Sequence, residues 1–321
     1  MLIVRWLEKV NEAVSLFVWG PPMIVLFLGA GVFFTFVTRG LQVRRLGEIL
    51  LSPFRKKEGR GGLSAFSAVS GALAGTLGIG NIVGVAGAIL AGGPGAVFWM
   101  AASAFFCMIL KFAETALAVR YRTKSPDGET IGGPMYYMRD RLGLRLCPAL
   151  FCILCILTAL FGTGSVTQVG TVAHAVEDTF SCGGLWVGAA CALAIALMTG
   201  GGAGRLGRVF AVLTPVMSAA FLAASLGVIV QGAHRLPQAL ADIVRGAFTP
   251  YAAAGGIGTY TVLAALRSGI SRGVFSNEAG MGSSPIIHAA SDNTPLRQGM
   301  CGAFEVFFDT VVMAGVTALA I

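Results

Sequence analysis

Long apolar runs, separated by shorter polar segments, form the main pattern of this sequence. A run of roughly 20 apolar residues is long enough to cross the hydrocarbon core of a bilayer as a helix. The pattern predicts an all-α polytopic membrane protein with about eight spans in one transmembrane domain over residues 1–321. The predicted spans are 17–38, 64–91, 95–119, 148–174, 184–200, 209–231, 256–290 and 299–321. Residues 1–14 are amphipathic, and we expect an interfacial helix there rather than a cleavable signal peptide.

Two of these spans are interrupted by glycines and polar residues. In the first, GTLGIGNIVG over 75–84 places glycines around Asn81. In the second, FSNEAGMGSS over 275–284 combines glycines with Glu278. Backbone groups that lose their helical partners at membrane depth must be bound in another way. The interruptions therefore favour broken helices that line a binding site, as in secondary transporters, and close helix packing through small residues is the alternative.

Composition agrees with a membrane protein. Hydrophobic residues make up 55% of the chain, charged residues only 12%, and the mean hydropathy is +0.79. A soluble domain usually contains about 25% charged residues. The net charge of +8 resides mainly in loops. It therefore indicates membrane topology rather than a nucleic-acid partner.

Lysine and arginine concentrate in three predicted loops, 39–63, 120–147 and 201–208. Because basic loops of membrane proteins remain in the cytoplasm, these three loops are predicted to be cytoplasmic. The N-terminus is then outside, and we expect a multi-pass protein of the plasma membrane, the inner membrane of a bacterium. Loop 232–255 fits this orientation least well because it carries Arg235 and Arg245.

Several polar side chains occur inside apolar spans, where an ionisable group is a functional candidate. Gln168 either contacts a substrate or forms an interhelical hydrogen bond. Glu278 either lines a cavity or pairs with neighbouring arginines at 267 and 272. For Asp309 we expect an ion pair with an arginine rather than a cation-related role. Lys111 and Glu114 are expected to form an ion pair on the cytoplasmic side.

The pattern gives little support for an enzyme or a channel. The three histidines lie far apart, and we find no nucleophile–base set, so no catalytic residue is expected. Cys152 and Cys155 form a CxxC pair without partners at metal-site spacing. A channel would need a continuous polar pore, whereas the polar residues cluster in the two interrupted spans.

Several runs resemble the alanine or glycine:cation symporter family, also called the sodium:alanine symporters. They are GTLGIGNIVGVAGAILAGGPGAVFWM (75–100), KFAE (111–114), GGPMYYM (132–138), ISRGVFSNEAGMGSSPIIHAA (270–290) and EVFFDT (305–310). The GIGN at 78–81 is also similar to the GLGN of the neurotransmitter:sodium symporters, which share the broken-helix fold. Because the runs spread over most of the chain in the family's order, the resemblance is specific.

The resemblance implies a broken-helix inverted-repeat fold of the amino acid/polyamine/cation superfamily type, with an extra N-terminal helix. It also implies symport of a small neutral amino acid, alanine or glycine, into the cell by alternating access. Na⁺ is the expected coupling ion, with H⁺ in some members. The expected partners are the amino acid and the lipid bilayer, with no nucleic acid, and we expect a monomer.

Site residues follow from the same resemblance. Backbone N–H groups at Ile79, Gly80 and Asn81 would meet the substrate carboxylate, and Gln168 would contact the substrate. The opposite wall would be formed by three consecutive residues, Phe275, Ser276 and Asn277. The implied Na⁺ ligands are the carbonyl groups near Ala74 and Leu77 and the side chain of Asn81, since hard cations prefer oxygen.

The sequence departs from the family's pattern at several positions and at its end. Ile79 stands where the family usually has threonine, which removes a hydroxyl beside the substrate. The chain also stops at Ile321 inside an apolar span, whereas the family continues through further helices. We therefore expect an inverted repeat that is incomplete at the C-terminus. A non-functional truncated remnant or fragment is the alternative to an active symporter.

Overall fold

A computed structural model describes residues 5–6, 9–11, 14, 17–18, 20–55, 62–126, 128–161, 166–200, 202–252 and 259–321. Helices dominate this part of the chain. They are α1 (Pro21–Val37), α2 (Leu41–Arg44), α3 (Leu46–Leu51), α4 (Ala65–Thr76), α5 (Val83–Gly92), α6 (Gly95–Arg120), α7 (Pro134–Asp140), α8 (Leu146–Phe161), α9 (Gln168–Phe180), α10 (Gly184–Thr199), α11 (Gly202–Gln231), α12 (Leu236–Phe248), α13 (Val262–Asn277), α14 (Ser283–Ala289), α15 (Pro295–Val306) and α16 (Ala314–Ala320). Short 3₁₀ turns span Ser52–Phe54, Ile79–Asn81 and Ala233–Arg235, and a π-helical turn spans Phe307–Met313.

The described strands are short and lie in connecting segments. Strand β1 (Thr123–Lys124) pairs antiparallel with β2 (Thr130–Ile131), and β3 (Tyr251–Ala252) pairs antiparallel with β4 (Thr259–Tyr260). Among the described residues, three helical stretches are each long and apolar enough to cross a membrane: Gly95–Arg120, Gly204–Gln231 and Pro295–Ala320. The chain is therefore a helical membrane protein, as predicted.

The first interrupted span is broken as predicted. Ser64 caps α4, since its side-chain oxygen accepts a hydrogen bond from the Ser67 N–H. Helix α4 ends at Thr76, and the chain resumes helical geometry in the turn Ile79–Asn81 and then in α5. The two halves are bent by 66° and together are long enough to form one span.

The second interrupted span also breaks at its polar segment. Helix α13 ends at Asn277, and Glu278 adopts a left-handed backbone conformation with φ of 51°. Gly280 and Gly282 follow with φ of 79° and 77°. Glycine adopts such angles without a steric penalty, which explains why the reversal between α13 and α14 contains them. The start of the predicted span, over 256–258, lies outside the described residues.

One predicted span is described in two parts. The single span over 148–174 corresponds to two described helices, α8 and α9, and the residues 162–165 between them lie outside the described part of the chain. The apolar helices Pro21–Val37, Leu146–Leu160 and Gly184–Thr199 are shorter than a full span. The number of membrane spans and their boundaries stay predictions.

Helix α6 lies at the centre of the packed core, against α13, α15, α12 and α1. Glycines permit the closest approaches. A Cβ added at Gly269 would overlap the carbonyl oxygen of Ala96, and one added at Gly273 would lie 2.5 Å from the Ser103 hydroxyl. Packing through small residues therefore explains these glycines of α13. It does not explain Gly75, where an added Cβ would meet no described atom within 4 Å.

The ends of the two broken spans are joined at one face of the protein. The Leu63 N–H donates to the carbonyl of Ala290 at 3.0 Å, and the Asp292 N–H donates to the carbonyl of Leu63 at 3.2 Å. Arg122 also donates to the carbonyl of Ser291. These bonds tie the start of α4 to the end of α14. The two interruptions are thereby held side by side in the core.

Candidate binding site at the helix breaks

Three buried polar side chains meet where the two breaks face each other. The Asn81 amide nitrogen donates to Asp309 Oδ1 at 2.8 Å. The Ser276 hydroxyl lies 2.5 Å from Asn81 Oδ1 and 2.9 Å from Asp309 Oδ2. The exposed fractions are 3% for Asn81 and Ser276 and 0% for Asp309. A carboxylate and two neutral oxygen donors thus converge in a buried position.

Neighbouring residues extend this cluster. Thr310 donates to Asp309 Oδ2 at 2.9 Å, and Asn277 donates to the Thr310 hydroxyl at 3.1 Å. The side-chain oxygen Oδ1 of Asn277 also accepts a hydrogen bond from the N–H of Ala279 at 3.0 Å. The side chain of Asn277 is therefore engaged within the protein, at the first turn after α13. Its predicted contact with a substrate stays a prediction.

Asp309 and Thr310 were not among the site residues expected from the sequence, and the expected arginine partner for Asp309 was wrong. No described arginine lies within ion-pair distance of its carboxylate, which instead accepts bonds from Asn81, Ser276 and Thr310. Both residues lie in the π-helical turn Phe307–Met313. Such turns occur frequently at functional sites. An acidic residue in an apolar span was the available indication.

The break in the first span leaves backbone groups without partners. In the described part of the chain, the N–H groups of Gly78, Ile79 and Gly80 donate no hydrogen bond, whereas the N–H of Asn81 donates to the Gly78 carbonyl at 3.2 Å. Consecutive free N–H groups at a helix start favour an anion. The carbonyl groups of Ala74 and Leu77 likewise accept no hydrogen bond from a described residue. Ile79 and Gly80 are thus available for the predicted carboxylate contact, as are the Ala74 and Leu77 carbonyls for the predicted cation, whereas the Asn81 N–H is already engaged. The binding roles stay predictions.

The structure brings most, but not all, of the predicted site residues together. Gln168 lies against the first break, since a Cβ added at Gly78 would be 3.0–3.1 Å from its amide atoms. Ser276 lies beside Gly80, where an added Cβ would be 3.7 Å from the serine. Phe275 instead lines a cavity of about 560 Å³ whose lining residues do not include Ile79, Asn81 or Gln168.

Oxygen atoms dominate the cluster at the breaks, which suits a hard monovalent cation rather than a transition metal. Within the described residues, no group of three or more His, Cys, Asp or Glu side chains could hold a metal ion. The arrangement places these oxygen atoms beside backbone N–H groups that donate to no described residue. It offers no nucleophile–base geometry.

Comparison with known proteins decides the family. The model of the sodium:alanine symporter family matches residues 4–321. The chain belongs to this family. Its members are transporters and not enzymes. The family resemblance found in the sequence motifs is thereby confirmed.

Three relatives show how far the similarity extends. An uncharacterized transporter of Haemophilus influenzae is 39% identical, over 98% of this chain and 70% of its own length. The sodium/alanine symporter AgcS of Methanococcus maripaludis is 38% identical, over 97% of this chain and 69% of its own length. The probable sodium/glutamine symporter GlnT of Bacillus subtilis is 37% identical, over 98% of this chain and 65% of its own length. The chain thus spans about two thirds of the length of these relatives.

This member of the symporter family also contains a buried ionic cluster, defined here as Lys111, Glu114 and Glu305. Lys111 is fully buried, and its Nζ lies 3.5 Å from Glu305 Oε1 and 3.6 Å from Glu114 Oε1. The predicted Lys111–Glu114 pair is thereby confirmed. Neither Oε1 atom accepts a hydrogen bond from another described group. Lys111 therefore provides the positive charge that balances both carboxylates.

The ionic cluster holds the second break in place. Lys111 Nζ donates to the carbonyl oxygen of Glu278 at 3.2 Å. The Glu278 carbonyl, which lies just after the end of α13, is thus bound by a protein side chain, as a buried backbone group requires when no ligand is present.

A chain of hydrogen bonds continues from Glu305. Ser284 donates to Glu305 Oε2 at 2.6 Å, and His288 Nε2 lies 3.2 Å from the same atom. The amide nitrogen of Gln298 lies 2.5 Å from His288 Nδ1, and the Gln298 oxygen accepts from Asn293 at 2.6 Å. An amide that donates to Nδ1 leaves the proton of the neutral ring on Nε2. His288 therefore donates to Glu305.

The alternative in which Glu278 pairs with arginines is not observed. Its carboxylate accepts a hydrogen bond from the Ser283 hydroxyl at 2.5 Å. Arg267 and Arg272 face the cavity lined by Phe275. These arginines thus belong to a different part of the molecule from the ionic cluster.

Proposed function

We propose that this chain mediates Na⁺-coupled symport of a small neutral amino acid, alanine or glycine, into the cell by alternating access. Membership of the sodium:alanine symporter family supports the class of transport. The name of AgcS, a sodium/alanine symporter, supports alanine, while that of GlnT, a probable sodium/glutamine symporter, makes glutamine the competing outcome.

The observation that carries this proposal is the meeting of Asn81, Ser276 and Asp309 between the two breaks. Asp309 supplies a negative charge that compensates a monovalent cation, and the amide and hydroxyl oxygens replace part of its hydration shell. The free carbonyl groups of Ala74 and Leu77 supply further oxygen donors from the first break. Because these donors come from separate helices, cation binding would draw the helices together.

The proposed substrate site is formed by backbone groups of the first break, next to the cation donors. The free N–H groups of Ile79 and Gly80 are suited to the substrate carboxylate. Gln168, beside Gly78, is suited to the substrate's polar groups. Ile79 fills the space of a smaller threonine and reduces the pocket. We propose that Ser276 lies between the two sites, where it contacts the cation donors on one side and the substrate on the other.

We also propose the architecture in which this site operates. The two interrupted spans, α4–α5 and α13–α14, support a broken-helix inverted-repeat core in which they are corresponding elements. The basic loops support an N-terminus outside the cell and a location in the bacterial inner membrane. A single subunit provides every group of the site described above, which is compatible with a monomer.

The test is Na⁺-dependent uptake of radiolabelled alanine by proteoliposomes containing the protein that carries this chain. Replacing Asn81 by alanine removes one oxygen donor, so the Na⁺ concentration for half-maximal uptake should rise about ten-fold. The matched control is Gln238→Ala, which removes an exposed amide on α12. An unchanged Na⁺ dependence in Asn81→Ala, with normal expression, would assign Asn81 a structural role only.

Asp309 distinguishes Na⁺ coupling from H⁺ coupling. Under Na⁺ coupling, Asp309→Asn weakens Na⁺ activation because the compensating charge is lost. Under H⁺ coupling, wild-type uptake is driven by a pH gradient without Na⁺, and Asp309→Asn abolishes that component. Measuring uptake with each gradient imposed separately gives the answer. Competition by unlabelled alanine, glycine and glutamine in the same vesicles identifies the substrate.

A further inference from the structure

The cavity of about 560 Å³ beside α13 is lined largely by basic and hydroxyl side chains. Two guanidinium groups, Arg267 and Arg272, line it together with three hydroxyl groups and Phe275. The hydroxyls belong to Thr261, Ser268 and Ser271. This volume falls within the range of about 300–1,000 Å³ typical of small-molecule pockets. The cavity is therefore large enough to admit a small solute.

The lining is cationic and lacks acidic residues. None of the lining residues is Asp or Glu, and the sequence from 243 to 277 contains neither. The facing helix α5 carries no charged residue. Two cations in a concave surface raise the local concentration of anions. A small carboxylate matches this field, and the planar guanidinium group matches its two oxygens.

The wall of the cavity is held firmly. Ser268 donates to the carbonyl oxygen of Ala88 on α5 at 3.2 Å, and Ser271 donates to the carbonyl of Ser268 at 3.2 Å. A Cβ added at Gly92 would lie 2.9 Å from the Ser268 side chain, so α5 and α13 approach closely. The polar face of α13 therefore keeps one orientation. Preorganised donors bind a ligand with a smaller entropic cost.

The cavity and the candidate binding site lie at neighbouring positions along α13. Phe275 lines the cavity, and the next residue, Ser276, bonds to Asn81 and Asp309. Under the orientation predicted from the loop charges, α5 ends at the outer face. The cavity therefore lies on the outer side of the two breaks. In this orientation the two arginines lie on the side of the breaks from which a solute outside the cell arrives.

We propose that this cavity is an outer carboxylate-binding vestibule, in which Arg272 and Arg267 bind the carboxylate of the incoming amino acid before it passes Phe275. This inference rests on the proposed function for its substrate class. The phosphate of an anionic lipid headgroup has related chemistry, and the experiment separates the two sources.

The first measurement does not require transport. Ser271→Cys, in a background without native cysteines, places a thiol in the cavity, and its alkylation rate by an impermeant maleimide is followed in vesicles of uncharged lipid. Alanine and propionate should slow alkylation, whereas alaninamide, which lacks the carboxylate, should not. Adding Arg272→Gln should remove the protection. Equal protection by alaninamide, or protection that survives Arg272→Gln, would overturn the proposal.

The lipid arm repeats the measurement in vesicles that contain phosphatidylglycerol. Slow alkylation there without any added carboxylate would identify a lipid-headgroup site and overturn the assignment to substrate. Unchanged rates support the vestibule. Because the maleimide assay is independent of uptake, its result stands even if the wild-type protein shows no Na⁺-driven transport, and the two proposals fail separately.

Kinetics provide the second measurement where transport is present. Arg272→Gln should raise KM for alanine about ten-fold, the effect of losing one charged hydrogen-bond donor, with kcat nearly unchanged. Arg272→Lys should restore part of the affinity because it keeps the charge. The control is Arg245→Gln, which removes an exposed guanidinium of α12 outside the cavity lining. Equal KM values in Arg272→Gln and the wild type would contradict the proposal.

Discussion

Replacing Lys111 by methionine should destabilise the protein strongly, although the two side chains are similar in length. Lys111 is fully buried and lies 3.5 Å from Glu305 Oε1 and 3.6 Å from Glu114 Oε1. Without it, two carboxylates remain buried with no described cation to balance them. Breaking a buried ion pair by removing one partner costs about 3–5 kcal/mol. The variant also leaves the carbonyl of Glu278 without its donor.

The assay is thermal unfolding of the detergent-solubilised protein, followed by size-exclusion chromatography with fluorescence detection. At roughly 2–4 °C for each kcal/mol, the loss corresponds to a fall in Tm of at least about 6 °C. The control is Lys124→Met, which removes an exposed lysine and should leave Tm nearly unchanged. The comparison separates the loss of a buried charge from the loss of net charge.

A double variant tests the stated cause. Lys111→Met with Glu305→Gln removes one buried charge of each sign, so it should recover part of the stability lost in Lys111→Met alone. The effects of the two substitutions should therefore be clearly non-additive, as expected for residues in one network. A fall in Tm below 2 °C for Lys111→Met, at about 2 °C for each kcal/mol, or additive losses in the double variant, would refute this account of the ionic cluster.

Three further predictions concern packing, selectivity and topology. Gly95→Ala should lower the free energy of unfolding by about 1–3 kcal/mol through overpacking, because the added Cβ would overlap the backbone of Gly246. The control is Gly87→Ala, whose Cβ would meet no described atom within 4 Å and should not destabilise the protein. Thermal unfolding of both variants checks the difference. If Phe275 limits the substrate, Phe275→Ala should allow leucine to compete with alanine uptake, and an unchanged selectivity order would exclude that role. Gly47→Cys, exposed in α3, should react with impermeant thiol reagents only from the cytoplasm, and labelling in intact cells would reverse the predicted orientation.

Much of the architecture could be predicted from the local pattern of residues. Apolar runs predicted the helices because a bilayer requires the backbone to bond within each segment. Glycines and polar residues predicted both breaks, at Asn81 and at the segment after Phe275, because those residues do not continue an apolar helix. The span over 148–174 stays a prediction, since its two described helices, α8 and α9, are separated by residues 162–165, which lie outside the described part of the chain.

The partners of the buried polar groups could not be predicted in the same way. Asp309 was expected beside an arginine, yet it bonds to Asn81, 228 positions away. Glu278 was considered a partner of nearby arginines, yet it bonds to Ser283 and its carbonyl accepts from Lys111. The sequence determined by itself that these groups lie in apolar helices and must be satisfied. Only the tertiary structure decided which groups satisfy them, because a bond between separate helices depends on their relative rotation and depth, which local periodicity does not specify.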